Sequence, residues 1–123
     1  MRVPVLILSV GLVLSGLVQL LVSTRAADGR IKRNRLAGIR TRATMESEET
    51  WQRAHQAARP FGARAGQAFL LSGLVVSVPR VGIFLALIGL AFGIVMLYRS
   101  TRAGVRAVTP IARDETPPPP AKT

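Results

Sequence analysis

Twenty consecutive residues, Val3 to Val22, carry no charge. As a helix rising ~1.5 Å per residue they reach ~30 Å, the hydrocarbon thickness of a bilayer. Gln19 is the one strongly polar side chain in the run. Pro4 falls in the first turn, where its missing N–H breaks no helical bond. The rival reading is a cleaved signal peptide that starts at Arg2 and ends at Thr24-Arg25-Ala26. The run exceeds the ~7–15 residues of a signal h-region, and its basic start is a single arginine. The segment to be translocated, Arg25 to Arg59, holds nine Lys/Arg against four Asp/Glu, which opposes the positive-inside rule. An uncleaved span is the expectation.

Two further apolar blocks follow, Phe61 to Val78 and Val81 to Tyr98, separated by Pro79-Arg80. One helix from Gly66 to Tyr98 would be ~50 Å long and would bury Arg80 at mid-membrane. Two helices of ~27 Å joined by a tight Val-Pro-Arg turn fit better. Arg64 then lies in a first turn and snorkels to the headgroups, and Tyr98-Arg99 closes the last span as an interfacial anchor. A re-entrant or surface course for 66–78 is the alternative.

The formal net charge of +11 is concentrated in the 25–59 loop and in the tail from Arg99, which holds five basic and two acidic residues. Three crossings put both on one side, and the charge bias makes that side cytoplasmic, with the N-terminus outside. The expected fold is an all-α integral membrane protein of the cell membrane. It has three transmembrane helices (3–23, 61–78 and 81–98), a basic cytoplasmic loop over 24–60 with a short helix, and a disordered Pro-rich tail over 101–123. Residues 1–100 form the membrane module.

Helices in lipid associate through small residues that let backbones approach. Gly82, Ala86, Gly89 and Gly93 recur at steps of four, three and four, so they share one face. Gly62 and Gly66 form a GxxxG, with Gly73 a heptad after Gly66, and Ser9 and Gly16 are a heptad apart in the first span. These faces are expected to pack within the chain in preference to forming a dimer.

Between the first two blocks, Arg30 to Arg42 has six basic residues in thirteen and no acid. Arg30, Lys32, Arg33, Arg35 and Arg42 read as contacts for anionic lipid headgroups, each worth ~1 kcal/mol near the surface. No aromatic residue is interleaved for base stacking and no helix-turn-helix pattern is present, which argues against nucleic acid. A short helix is expected from Ser47 as N-cap to Arg59, with Glu48 and Glu49 in its first turn and Pro60 ending it or starting the next. Glu48, Trp51, His55 and Ala58 share a face of that helix.

Nothing in the chain looks catalytic. GxSxG, P-loop, HExxH and GxGxxG patterns are absent, as is cysteine. His55 with Glu48 and Glu49 offers too few ligands for a metal. No cofactor and no enzymatic activity are expected. Spans without an intramembrane acid argue against a proton-coupled transporter.

Asn34, Gly38-Ile39-Arg40-Thr41, Thr44, Ser47, Trp51 and His55 together resemble the signature of the SdpI family, bacterial membrane proteins typified by the immunity protein against a secreted sporulation-delaying toxin. These are nine positions across twenty-two residues, and the surrounding spans agree with the layout of the family's C-terminal-type module. This chain has Arg42-Ala43 where members often have Pro-Trp. The resemblance implies a non-enzymatic membrane protein that protects against a membrane-active peptide, or holds a cytoplasmic regulator at the membrane. An accessory subunit of a larger membrane complex is the alternative. The signature residues Asn34, Gly38, Arg40, Thr41, Thr44, Ser47, Trp51 and His55 are then the expected binding set. Their chemistry suits a polar cap: Gly38 for a positive φ or close approach, Arg40 as a multi-donor, Asn34, Thr41 and Thr44 to satisfy loop backbone, and Trp51 and His55 to dock the short helix.

Overall fold

A computed structural model describes the backbone of residues 2–114 and the side chains of residues 2–109. Three helices occupy it: α1 (Val3–Ala27), α2 (Glu48–Val75) and α3 (Gly82–Asp114). The described residues contain no strand. α1 and the Gly82–Thr109 part of α3 are long and apolar enough to cross a membrane; α2 does not reach that composition.

α2 is the centre. It packs antiparallel on α1 and on α3, and those two do not pack on each other. Its seam with α1 is made of backbone-to-backbone approaches. A Cβ on Gly16 would fall 2.6 Å from the Gly66 carbonyl oxygen, and one on Gly66 would fall 2.9 Å from that of Gly16. Further along, Ser9 Oγ donates to the Gly73 carbonyl at 2.6 Å. A side chain at either position would wedge the helices apart, at a cost of about 1–3 kcal/mol or more.

α3 lays one stripe on α2. Gly82, Ala86, Gly93, Met96, Ser100, Gly104 and Val108 are all buried, with Gly89 half-buried between them. Gly89 lies against Ser72 and Gly93 against the ring of Phe69. Both glycines of this GxxxG are thus used inside the chain. Gly62 sits between the other two helices, where a Cβ would meet Ser23 Oγ of α1 and Ser100 Oγ of α3.

Two expectations are corrected. The short helix over 47–59 and the block at 61–78 are one helix, which runs through Pro60 and ends at Val75. Proline removes one i→i−4 bond and crowds the preceding turn. Here Pro60 lies on the exposed side, while Ala58 and Gly62 on either side are buried. Packing on two neighbours holds the helix straight on through a local signal to stop. The second correction concerns the tail. α3 does not end near Tyr98; residues 101–114 continue the helix, because Gly104 and Val108 extend its buried stripe. The Pro-rich end, 115–123, lies outside the described residues.

The link from α2 to α3 is short. Val78 N–H bonds to the Val75 carbonyl and Gly82 N–H to that of Val78. Arg80 takes a φ of 67°, a left-handed conformation that costs a non-glycine residue ~1–2 kcal/mol.

Candidate functional site

At the end of the trio opposite that turn, residues 28–47 fold over α2 and α3 as a cap. The chain leaves α1 through Gly29 at φ 77°. The side chains of Gln52 and Gln56 reach the Ala27 carbonyl at 3.4 and 3.3 Å, and Arg59 pairs with Asp28 at 3.1 Å.

Local hydrogen bonds build the first half. Asn34 Oδ1 accepts from the amides of Leu36 and Ala37, both at 2.9 Å, and its Nδ2 donates to the Lys32 carbonyl at 2.8 Å. That is the side-chain-mimicked turn asparagine favours. Arg40 Nη1 donates to the Arg35 carbonyl and pulls the loop closed. The Thr44 hydroxyl, fully buried, donates to the Ile39 carbonyl at 2.7 Å and accepts from Thr41 N–H at 2.9 Å. Thr41 Oγ1 in turn accepts from Thr44 N–H at 3.2 Å.

α2 then opens with a reciprocal cap. Thr50 N–H donates to Ser47 Oγ at 3.1 Å and Ser47 N–H to Thr50 Oγ1 at 3.0 Å. Threonine here takes the part that glutamate or glutamine usually plays. Glu48 and Glu49 stand in the first turn, favoured by the helix dipole. Glu48 also pairs with Arg33 at 3.7 Å, while Arg33 Nη1 donates to the Met45 carbonyl at 2.8 Å.

The two halves meet at Gly38, Trp51 and His55. Trp51 is 1% exposed and its indole N–H donates to the Ile31 carbonyl at 3.0 Å. Its ring lies 4.2 Å from that of His55, centroid to centroid. Gly38, at φ 98°, presses its backbone on both rings. A Cβ there would fall 2.6 Å from Trp51 Cη2 and 2.7 Å from His55 Nε2. His55 is held from two sides: Nδ1 lies 2.8 Å from the Trp51 carbonyl, and Ile39 N–H donates to Nε2 at 3.0 Å. A carbonyl on one side and an amide on the other assign the proton to Nδ1 and leave Nε2 as acceptor. Burial pushes the His55 pKa below the ordinary histidine value, partly offset by the bond to the Trp51 carbonyl.

The cap also grips α3. Ile39 Cδ1 would lie 2.7 Å from a Cβ on Gly104, and the Ala54 carbonyl 2.9 Å from it. Ser100 Oγ donates to the Ala58 carbonyl at 3.3 Å.

All nine signature positions therefore lie in one cap, with Trp51, His55 and Thr44 buried as its core and Arg40 on its surface. Of the basic run, Arg33 is engaged by Glu48 and Met45, whereas Arg30, Lys32, Arg35 and Arg42 are exposed. The glycines lie on the helix seams, apart from the cap. Thr50, Ser100 and Gly104 are parts that the sequence pattern did not single out. The Ser-x-x-Thr spacing from Ser47 and the four-residue steps from Met96 through Ser100 to Gly104 were the available signals. Among the described residues, no group of three His, Asp or Glu side chains is placed to hold a metal. Every buried side-chain nitrogen and oxygen among them has a hydrogen-bond partner.

No curated protein and no solved structure matches the chain. The model of the SdpI/YfhL protein family matches residues 30–99, which cover the cap, α2 and the apolar part of α3. The match takes in more than half of the 123 residues, and the chain belongs to the SdpI/YfhL family.

Proposed function

We propose that the chain is a three-span membrane protein with an SdpI-type role: it protects against a membrane-active peptide, or holds a cytoplasmic regulator at the membrane through its cap. In this reading α1, the 61–75 half of α2 and the first half of α3 cross the bilayer. The N-terminus is outside, and the cap and C-terminus are cytoplasmic. Arg64 sits at the headgroup level. The exposed side chains of Arg30, Lys32, Arg35 and Arg42 face anionic lipid.

One observation carries the reading. The signature residues spend their buried groups on making the cap rigid and leave Arg40 and the basic run outside. A preorganised charged face at a membrane surface suits recognition of a partner, and nothing in the cap supplies a reactive group. The alternative accessory-subunit role relied on the glycine faces, and those are filled by the chain's own helices.

The test is survival of a sensitive host challenged with the toxin peptide. The wild-type chain protects, Arg40→Ala weakens protection while the protein still reaches the membrane, and Trp51→Ala abolishes it. Equal survival with and without the wild-type chain overturns the protective role. Reporter fusions at Asp28, Arg80 and Thr123 check the topology, with Arg80 alone expected outside.

A further inference from the structure

α1 and α3 flank α2 without packing on each other, and the space between them is shaped. At its loop end a cavity of about 250 Å³ lies under the 36–39 turn. Gln19, Ser23, Ser100 and Thr101 give it a polar side, while Val22 and Leu97 give it an apolar one. Along α1 lies a second hollow of about 420 Å³, which shares Val18 and Gln19 with the first and is lined by Phe69 of α2. The Gln19 amide donates to Ser23 Oγ at 3.0 Å, leaving its oxygen without a partner among the described residues. At the mouth stands Leu36, 92% exposed, between a polar backbone turn and the exposed Arg35.

A polar compartment leading into an apolar trough is the outline of an amphiphile. We propose that this cleft binds one anionic phospholipid: headgroup and ester region under the 36–39 turn, one acyl chain along α1 across Phe69. The proposal rests on the membrane placement given above, which sets the polar compartment at headgroup depth. The Ser23 and Thr101 hydroxyls donate to the ester oxygens, and the free Gln19 oxygen accepts from a headgroup hydroxyl, which phosphatidylglycerol has and phosphatidylcholine lacks. The phosphate lies toward the basic turn that carries Arg35 and Arg40, and Leu36 folds onto the seated lipid. A lipid is favoured over a peptide segment because the upper compartment is small and hydroxyl-lined.

The experiment places the full chain in nanodiscs of phosphatidylcholine. These are doped with phosphatidylglycerol or phosphatidylcholine whose acyl chain carries a photoactivatable diazirine, and the labelled residues are mapped. In the wild type the phosphatidylglycerol probe labels the cleft, residues 14–23 and 97–101, more than the phosphatidylcholine probe does. Val18→Phe fills the trough from an exposed position and lowers cleft labelling about tenfold. Gln19→Leu removes the preference between headgroups. Label on the outward stripe of α2, Leu71 and Leu74, stays constant in all three proteins. Trp51 emission, unchanged, shows that each variant keeps its cap.

Cleft labelling that ignores Val18→Phe, or that shows no headgroup preference in the wild type, overturns the proposal. So does a photoactivatable apolar peptide that these substitutions exclude while lipid labelling persists. Label on the outward stripe without label in the cleft sinks the lipid site alone. Loss of both sinks the membrane placement and the site with it.

Discussion

The Ile39 amide donates to His55 Nε2 across 3.0 Å, joining a loop to a helix sixteen residues further along the chain. The bond needs a neutral imidazole. A proton on Nε2 would set two donors face to face in a buried place. Burial holds the His55 pKa below its unfolded value, against the raising effect of the bond to the Trp51 carbonyl. The sign follows from linkage: the unfolded state binds the proton more readily, so stability rises with pH in that window. The contribution is complete above pH about 6.5 and is lost as pH falls from there through the lowered value. Thermal unfolding followed by Trp51 emission should show this slope. His55→Phe should abolish it and lower stability by about 1–3 kcal/mol, the cost of stranding the Ile39 amide.

Gly38→Ala should be among the most damaging changes of a single methyl group. The new carbon meets both rings of the cap, and φ 98° is strained for any side chain. A loss of about 2 kcal/mol or more is expected from clash and strain together. A red-shifted, more quenchable Trp51 emission is the readout.

Gly89→Leu should part α2 from α3 without help from any partner. The side chain would land on Ser72, where overpacking costs about 1–3 kcal/mol. A cysteine pair across the seam, one at Ala58 and one at Ser100, should crosslink in the parent chain and fail in the variant. Gly11→Leu is the control, since nothing lies within 4 Å of a Cβ at Gly11.

Pro60→Ala should stabilise. It restores the missing i→i−4 bond on an exposed face and touches no seam, for a gain of about 1–3 kcal/mol. Thermal unfolding in mild detergent measures it, and an unchanged or lower midpoint would argue against a continuous α2.

Arg80→Gly should also stabilise, by about 0.5–1 kcal/mol. Glycine takes the left-handed turn without steric cost, though it gives back part of the gain as chain entropy in the unfolded state. The same unfolding experiment reads the shift.

The parts of this fold that are local in the chain were readable from it. The uncharged run of α1 and the small-residue stripe from Gly82 to Gly93 carry their own period. Asn34 and Ser47 act through hydrogen bonds within three residues, so residue type and spacing are enough. The continuity of α2 was not readable, because Pro60 is a local signal to stop and is outweighed by Ser23 and Ser100 closing on Gly62 from two other helices. The length of α3 was hidden for a related reason. After Arg99 the polar composition of the tail conceals Gly104, whose partner Ile39 lies in a remote segment. Where a residue's role depends on what the rest of the chain brings to it, composition near that residue misleads.

α3 has one more consequence, a mechanical one. Its 33 residues make a rod of ~50 Å, longer than the hydrocarbon layer. Its far part is clasped by Ile39 and by the Ala54 carbonyl. A rod held by its own hydrogen bonds pivots more easily than it bends. A tilt of about 10° about a pivot near Leu90, at mid-span, would swing Gly104, ~20 Å along the rod, by roughly 3.5 Å. That exceeds what a close-packed contact such as Ile39 on Gly104 tolerates. In the proposed membrane placement the cap is thus built on a lever, and its closure is geometrically tied to how α3 leans in the lipid.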